Sequence, residues 1–91
     1  MVEGGIEVEV RQALANLVAV LGTEGASLAD VVKTTVFLRH IADYPVMNEI
    51  YLEVFADHRP ARSTVAVAGL PLGALVEIEA LAFSGGKGGT P

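Results

Sequence analysis

The sequence predicts an α+β layer in which two helices pack on one face of a three-stranded sheet. Two stretches repeat apolar residues at helical spacing and three others read as strands. Their order along the chain is helix, strand, helix, strand, strand. In a chain of 91 residues this is one domain, predicted over residues 1–84, followed by a flexible Gly-rich tail over 85–91.

Across residues 6–21, Val10, Leu14, Leu17 and Leu21 recur at intervals of four, three and four, which lines one helix face; Gly22 and Gly25 supply the stop. Ser27 and Asp30 then resemble a short cap or turn, because their side chains bond nearby backbone amides. Residues 31–39 are rich in β-branched types. Their alternation sets Val32, Thr34, Val36 and Leu38 on one face and Val31, Lys33, Thr35 and Phe37 on the other. Asp43 as N-cap and Pro45 in the first turn open a second amphipathic helix, carried by Val46, Met47, Ile50, Tyr51 and Val54 to about Phe55. Residues 63–68 and 75–83 read as strands. The Gly69-Leu70-Pro71-Leu72-Gly73 run between them predicts a hairpin and hence an antiparallel pair. The sheet face away from the helices should stay apolar through some of Val65, Val67, Val76, Ile78 and Ala80, with unpaired edges that recruit partner chains.

Composition narrows the function classes. A hydrophobic fraction of 52% and a mean hydropathy of +0.51 imply apolar surface covered by another subunit. The net charge of −5, with only 6 basic residues, argues against nucleic acid as a partner. Cysteine is absent, which excludes disulfides, thiolate metal sites and cysteine nucleophiles. His40 and His58 lack the spacing and the companions of a zinc site, so no metal is expected. Nothing in the sequence reads as a membrane span, and a soluble cytoplasmic protein is the simplest reading.

Two charged groups sit where charge needs a reason. Arg62 lies in the run R-P-A-R-S-T-V at residues 59–65, and Glu77 and Glu79 lie in the strand V-E-I-E-A at residues 76–80. Ionised groups among apolar residues require a partner or a ligand, so these elements are candidates for a ligand site, with a structural ion pair as the rival reading. Glu79 shares a strand face with Glu77 and is either half of a carboxylate dyad or an interfacial or solvated charge, the second reading being preferred. Tyr44 and Tyr51 are expected to pack. The G-G-K-G-G run at residues 85–89 opens no helix and reads as a linker, not a phosphate loop.

The chain resembles the RidA/YjgF family of reactive-intermediate deaminases over roughly residues 7–83. The resemblance is carried by Gln12-Ala13-Leu14 with Asn16-Leu17, by Asp30-Val31-Val32-Lys33-Thr34-Thr35-Val36, and by Asn48 with Tyr51 and Phe55. Pro60-Ala61-Arg62-Ser63, Leu70-Pro71 and Glu77-Ile78-Glu79-Ala80 complete it. It implies a chorismate-mutase-like layer of two helices on a mixed sheet, assembled as a homotrimer with the sheets packed inward and clefts between subunits. It also implies hydrolysis of 2-imino acids such as 2-iminobutanoate and 2-iminopropanoate, or their enamine tautomers, to 2-keto acids and ammonia, without cofactor.

By the same resemblance Arg62 holds the substrate carboxylate, and Glu77 positions water and relays a proton. Asn48 lines the cleft, and Thr64 lays its backbone beside the substrate. An opening pair of strands, with a tyrosine and a serine in an S-G-Q motif, is also implied and is missing from this chain. The alternative function is therefore a non-catalytic trimer of the same fold that binds small carboxylates or serves as a scaffold.

Overall fold

A computed structural model describes residues 5–83. The predicted tail at 85–91 lies outside them. Helix α1 spans Gly5–Thr23, strand β1 Val31–Leu38, helix α2 Tyr44–Phe55, strand β2 Ala61–Ala66 and strand β3 Val76–Ala82. Short 3-10 turns at Leu28–Asp30, Ile41–Asp43 and Pro71–Gly73 join them.

Both helices form where the apolar period predicts. Val10 and Leu14 of α1 are buried, with Ile6, Ala13, Leu17 and Leu21 packed partly against the same core. The helix ends in a Schellman turn: Ala26 N–H donates to the Leu21 carbonyl at 2.9 Å and Gly25 N–H to the Gly22 carbonyl at 3.1 Å. Gly25 sits at φ +72°, a left-handed conformation that disfavours any residue with a Cβ. Ser27 and Asp30 make the expected turn, with Ser27 N–H donating to Asp30 Oδ2 at 2.9 Å. Asp43 departs from its predicted role. It ends the Ile41–Asp43 turn in helical φ/ψ, so the chain enters α2 already coiled, and its carboxylate makes no capping bond.

The sheet order is β2-β1-β3, with β1 parallel to β2 and antiparallel to β3. The predicted hairpin between the last two strands is not formed. After β2 the chain crosses the end of β1, where Val67 N–H donates to the Leu38 carbonyl at 2.8 Å and Arg39 N–H to the Leu75 carbonyl at 3.0 Å. The segment 67–75 is long enough to step over two strand spacings, about 10 Å, so both edges of β1 are filled instead of one.

Register fixes the faces. Thr34, Val36 and Leu38 lie opposite Arg62, Thr64 and Ala66 on one side and Ala80, Ile78 and Val76 on the other. Thr34, Val36, Leu38 and Val76 are buried, so this row faces the helices. Val76, Ile78 and Ala80 thus belong to the helix-covered face, not the free one. The open face carries Phe37, Val65 and Leu81 among Lys33, Thr35, Ser63, Glu77 and Glu79. A register shift between Val31 and Lys33 also moves Val31 into the core and leaves Val32 exposed, reversing the alternation predicted there.

Two polar ties fasten the layers. Glu9, on the buried side of α1, accepts from Leu75 N–H at 2.8 Å, pinning the helix to the chain entering β3. Arg11 bridges to Glu53 of α2 at 3.1 Å, and this hydrogen bond and charge hold the Glu53 carboxyl below its ordinary range. The lowered folded-state value means that the bridge acts at neutral pH and fades as pH falls through the carboxylate range. Both groups are exposed, so salt screens it.

Leu14 is 1% exposed and central to the helix–sheet contact. Leu14→Ala is expected to lower stability by about 2–5 kcal/mol in urea denaturation.

Candidate functional site

The cross-over β1–α2–β2 builds the site. Tyr44, Asn48 and Tyr51 recur at i, i+4 and i+7, so α2 presents them on one face. Strand β2 lies parallel to β1 and turns Arg62 toward that face. The guanidinium Nη1 donates to Asn48 Oδ1 at 2.8 Å, and Nη2 donates to the Tyr44 hydroxyl oxygen at 2.8 Å. Its carbon lies 4.7 Å from the Tyr51 ring centroid and 5.6 Å from that of Tyr44. Ring faces at this range attract a cation through their quadrupole.

Tyr51 is itself fixed. Its hydroxyl shares a 2.7 Å hydrogen bond with Thr34 Oγ1 in the core, and its ring stacks on Phe55 with centroids 4.5 Å apart. Phe55 in turn meets His58, with centroids 6.4 Å apart, and His58 Nε2–H donates to the Val31 carbonyl at 2.6 Å. The guanidinium therefore rests on a stack anchored to both ends of the crossover. Every partner it has among the described residues is neutral. Among the described residues no carboxylate pairs with Arg62, so the site holds a half-buried positive charge stabilised by dipoles and ring faces alone. Such a group suits an oxyanion, most of all a carboxylate that takes parallel N–H donors.

The other predicted residues fall in two places. Thr64 is two positions along the same face of β2, opposite Val36, and its Oγ1 is buried without a hydrogen-bond partner. Glu77 is not beside Arg62 within the chain. It lies on β3, opposite Phe37 in register, with β1 between the two strands. Glu77 borders a cleft of about 350 Å³ between α1 and β3, lined also by Ala13, Asn16, Leu17, Val20 and Ile78. Glu79, two residues on, lies opposite Thr35 on the open face and is exposed.

Tyr44 and Tyr51 were expected only to pack, yet both touch the cation. The signal was their seven-residue separation with Asn48 between, which places three polar-tipped side chains on one helix stripe ahead of the P-A-R-S run.

The sequence profile described as Endoribonuclease L-PSP matches residues 1–84. The chain belongs to the RidA/YjgF family. A RutC family protein of Pyrococcus horikoshii is 46% identical over 83 residues, covering 91% of this chain and 66% of that protein. The human 2-iminobutanoate/2-iminopropanoate deaminase is 45% identical over 85 residues, covering 93% of this chain and 62% of the enzyme. The chain thus spans just under two thirds of the length of these RidA/YjgF relatives. Among solved structures, a Rid-family protein of Yersinia pestis superposes with a TM-score of 0.87 at 47% identity, covering 90% of this chain and 66% of its own. E. coli TdcF with bound serine superposes with a TM-score of 0.85 at 35% identity, covering 90% of this chain and 67% of its own. These likenesses establish the compact α+β fold, two helices on a mixed sheet.

The Thr34–Tyr51 bond separates stability from ligand capture. Tyr51→Phe leaves Thr34 Oγ1 buried and unpaired, which is expected to cost about 1–3 kcal/mol in urea denaturation. The ring face under Arg62 remains, so any carboxylate binding at the guanidinium should change little in calorimetric titration.

Proposed function

We propose that the protein hydrolyses 2-imino acids, or their enamine tautomers, to 2-keto acids and ammonia, with 2-iminobutanoate and 2-iminopropanoate as substrates. The observation that carries this reading is the Arg62 guanidinium, oriented by Asn48 and Tyr44 over the Tyr51 ring and left without a carboxylate partner among the described residues. Relatives near 45% identity bear the name of that deaminase, and a structural neighbour holds the amino acid serine.

In this reading Arg62 binds the substrate carboxylate and sets the adjacent C=N carbon at a fixed distance from it. Asn48 holds Arg62 and lines the cleft, and the Thr64 backbone flanks the substrate. Glu77 supplies the proton transfers. Its carboxylate accepts a proton from the attacking water as the C–O bond forms and passes that proton to the imine nitrogen, which leaves a carbinolamine. The carboxylate then takes the proton of the new hydroxyl and delivers it to the amine as the C=O forms, the C–N bond breaks and ammonia leaves. The sum is imino acid plus water giving keto acid plus ammonia, with no change of oxidation state.

Arg62 and Glu77 lie on strands separated by β1 and on opposite faces of the sheet, so they meet only if the cleft is shared between subunits. A homotrimer with inward-packed sheets fits the open face bearing Phe37, Val65 and Leu81, whose partial exposure in the single chain leaves apolar surface to cover. The partners of this reading are a small 2-imino or 2-keto acid and two further copies of the chain. It needs no nucleic acid, membrane, metal or organic cofactor, and its setting is the cytoplasm. Among the described residues no helix is long and apolar enough to cross a membrane.

The test generates 2-iminobutanoate in situ with a threonine dehydratase and follows its disappearance on fractions sized by light scattering. A trimer fraction should accelerate the loss. Arg62→Ala should remove about two orders of magnitude of that acceleration, and Glu77→Gln should lower kcat by about 10²-fold or more with the trimer intact. A trimer that binds 2-keto acids without accelerating hydrolysis would make the protein a carboxylate-binding module. Collapse of the assembly in Arg62→Ala would make the arginine structural.

A further inference from the structure

Two groups that orient Arg62 keep protons of their own. The Tyr44 oxygen accepts from Nη2, and a phenol has a single O–H. That proton cannot return to the guanidinium, which accepts nothing, and among the described residues no acceptor is set against it. Asn48 is turned in the same sense: its Oδ1 is committed to Nη1, so its Nδ2 hydrogens point elsewhere. Tyr44 is half-buried and opens α2, where its ring packs partly on the core and its hydroxyl reaches the rim of the site. The hydrogens without a partner beside the cation belong to the spare guanidinium N–H bonds, the Asn48 amide and the Tyr44 O–H.

We propose that Tyr44 is a ligand-binding residue whose O–H donates to the carboxylate held by Arg62, and that it sets the preference of the site for an ionised carboxylate over a neutral amide. This deepens the carboxylate reading of the Arg62 site and rests on it. A phenol that accepts from a cation is polarised into a stronger donor, so the pair grips an anion cooperatively. A carboxylate offers only acceptors and matches these unpaired hydrogens. A primary amide turns its own N–H groups against these donors and leaves some unpaired, the more expensive mismatch.

The experiment titrates 2-oxobutanoate and 2-oxobutanamide into the full chain by calorimetry, in wild type, Arg62→Ala, Tyr44→Phe and a variant with 4-methoxyphenylalanine at position 44. The methoxy side chain keeps an oxygen that accepts from Nη2 but has no proton to give. Expected is a loss of about tenfold in 2-oxobutanoate affinity for both Tyr44 variants, with a narrowed preference over the amide. In wild type with ¹³Cζ-labelled tyrosine, the Tyr44 resonance should shift on adding 2-oxobutanoate. The proposal is overturned if Tyr44→Phe stays within about twofold of wild type, or if the methoxy variant binds as wild type does, since Tyr44 would then act only by positioning Arg62. If wild type fails to bind 2-oxobutanoate, or Arg62→Ala binds it equally well, the carboxylate reading falls and this proposal with it.

Discussion

Everything in the fold depends on β1 being hydrogen-bonded along both edges and covered on one face. Val31–Leu38 takes β2 as a parallel neighbour and β3 as an antiparallel one, and its Thr34, Val36 and Leu38 row meets both helices. Because the central position is occupied, the two charged strands cannot touch. Arg62 is directed under α2, while Glu77 lies on the opposite face of the other edge strand, β3. A chemistry that needs both groups is thus tied to assembly by strand order alone.

The cation's surroundings are compact in sequence, running from Thr34 to Arg62 through one crossover. Partly burying a guanidinium is unfavourable unless its donors are matched. Here one oxygen from an amide, one from a phenol and the face of a buried ring do so, and none neutralises the charge. The stack through Phe55 and His58 returns to the first residue of β1, so the platform is held by the same crossover that it serves. A protonated or neutral ligand would leave this charge as it is, whereas an anion completes it.

How much of this the sequence revealed follows from the range of each interaction. The helices were legible because Val10, Leu14, Ile50 and Tyr51 declare their faces within a few residues, and the α1 stop because Gly25 answers a local backbone demand. Arg62 stood out by its charge and Asn48 only through the family resemblance, and a hydrogen bond joins them in the structure. Strand order was not legible, since the run from Gly69 to Gly73 has the chemistry of a turn whether it closes a hairpin or steps across β1. The inversion at Val31 and Val32 depends on a register shift that only the partner strand imposes. Nothing local marks Glu9, because its partner amide is far along the chain at Leu75. Tyr44 and Tyr51 read as packing residues for the same reason: their polar atoms are spoken for by other elements.

The Arg62 cation also stands in a molecule whose net charge is acidic. A chain of net charge −5 repels small anions at a distance, while the attraction of Arg62 is local and is screened beyond a Debye length of about 8 Å at physiological ionic strength. In the proposed function, carboxylate capture is therefore a contact event and not a steered one. Added salt, which ordinarily slows encounters between a charged ligand and its site, here relieves the long-range repulsion even as it weakens the final grip. The encounter rate and the affinity of a carboxylate then move in opposite directions with ionic strength.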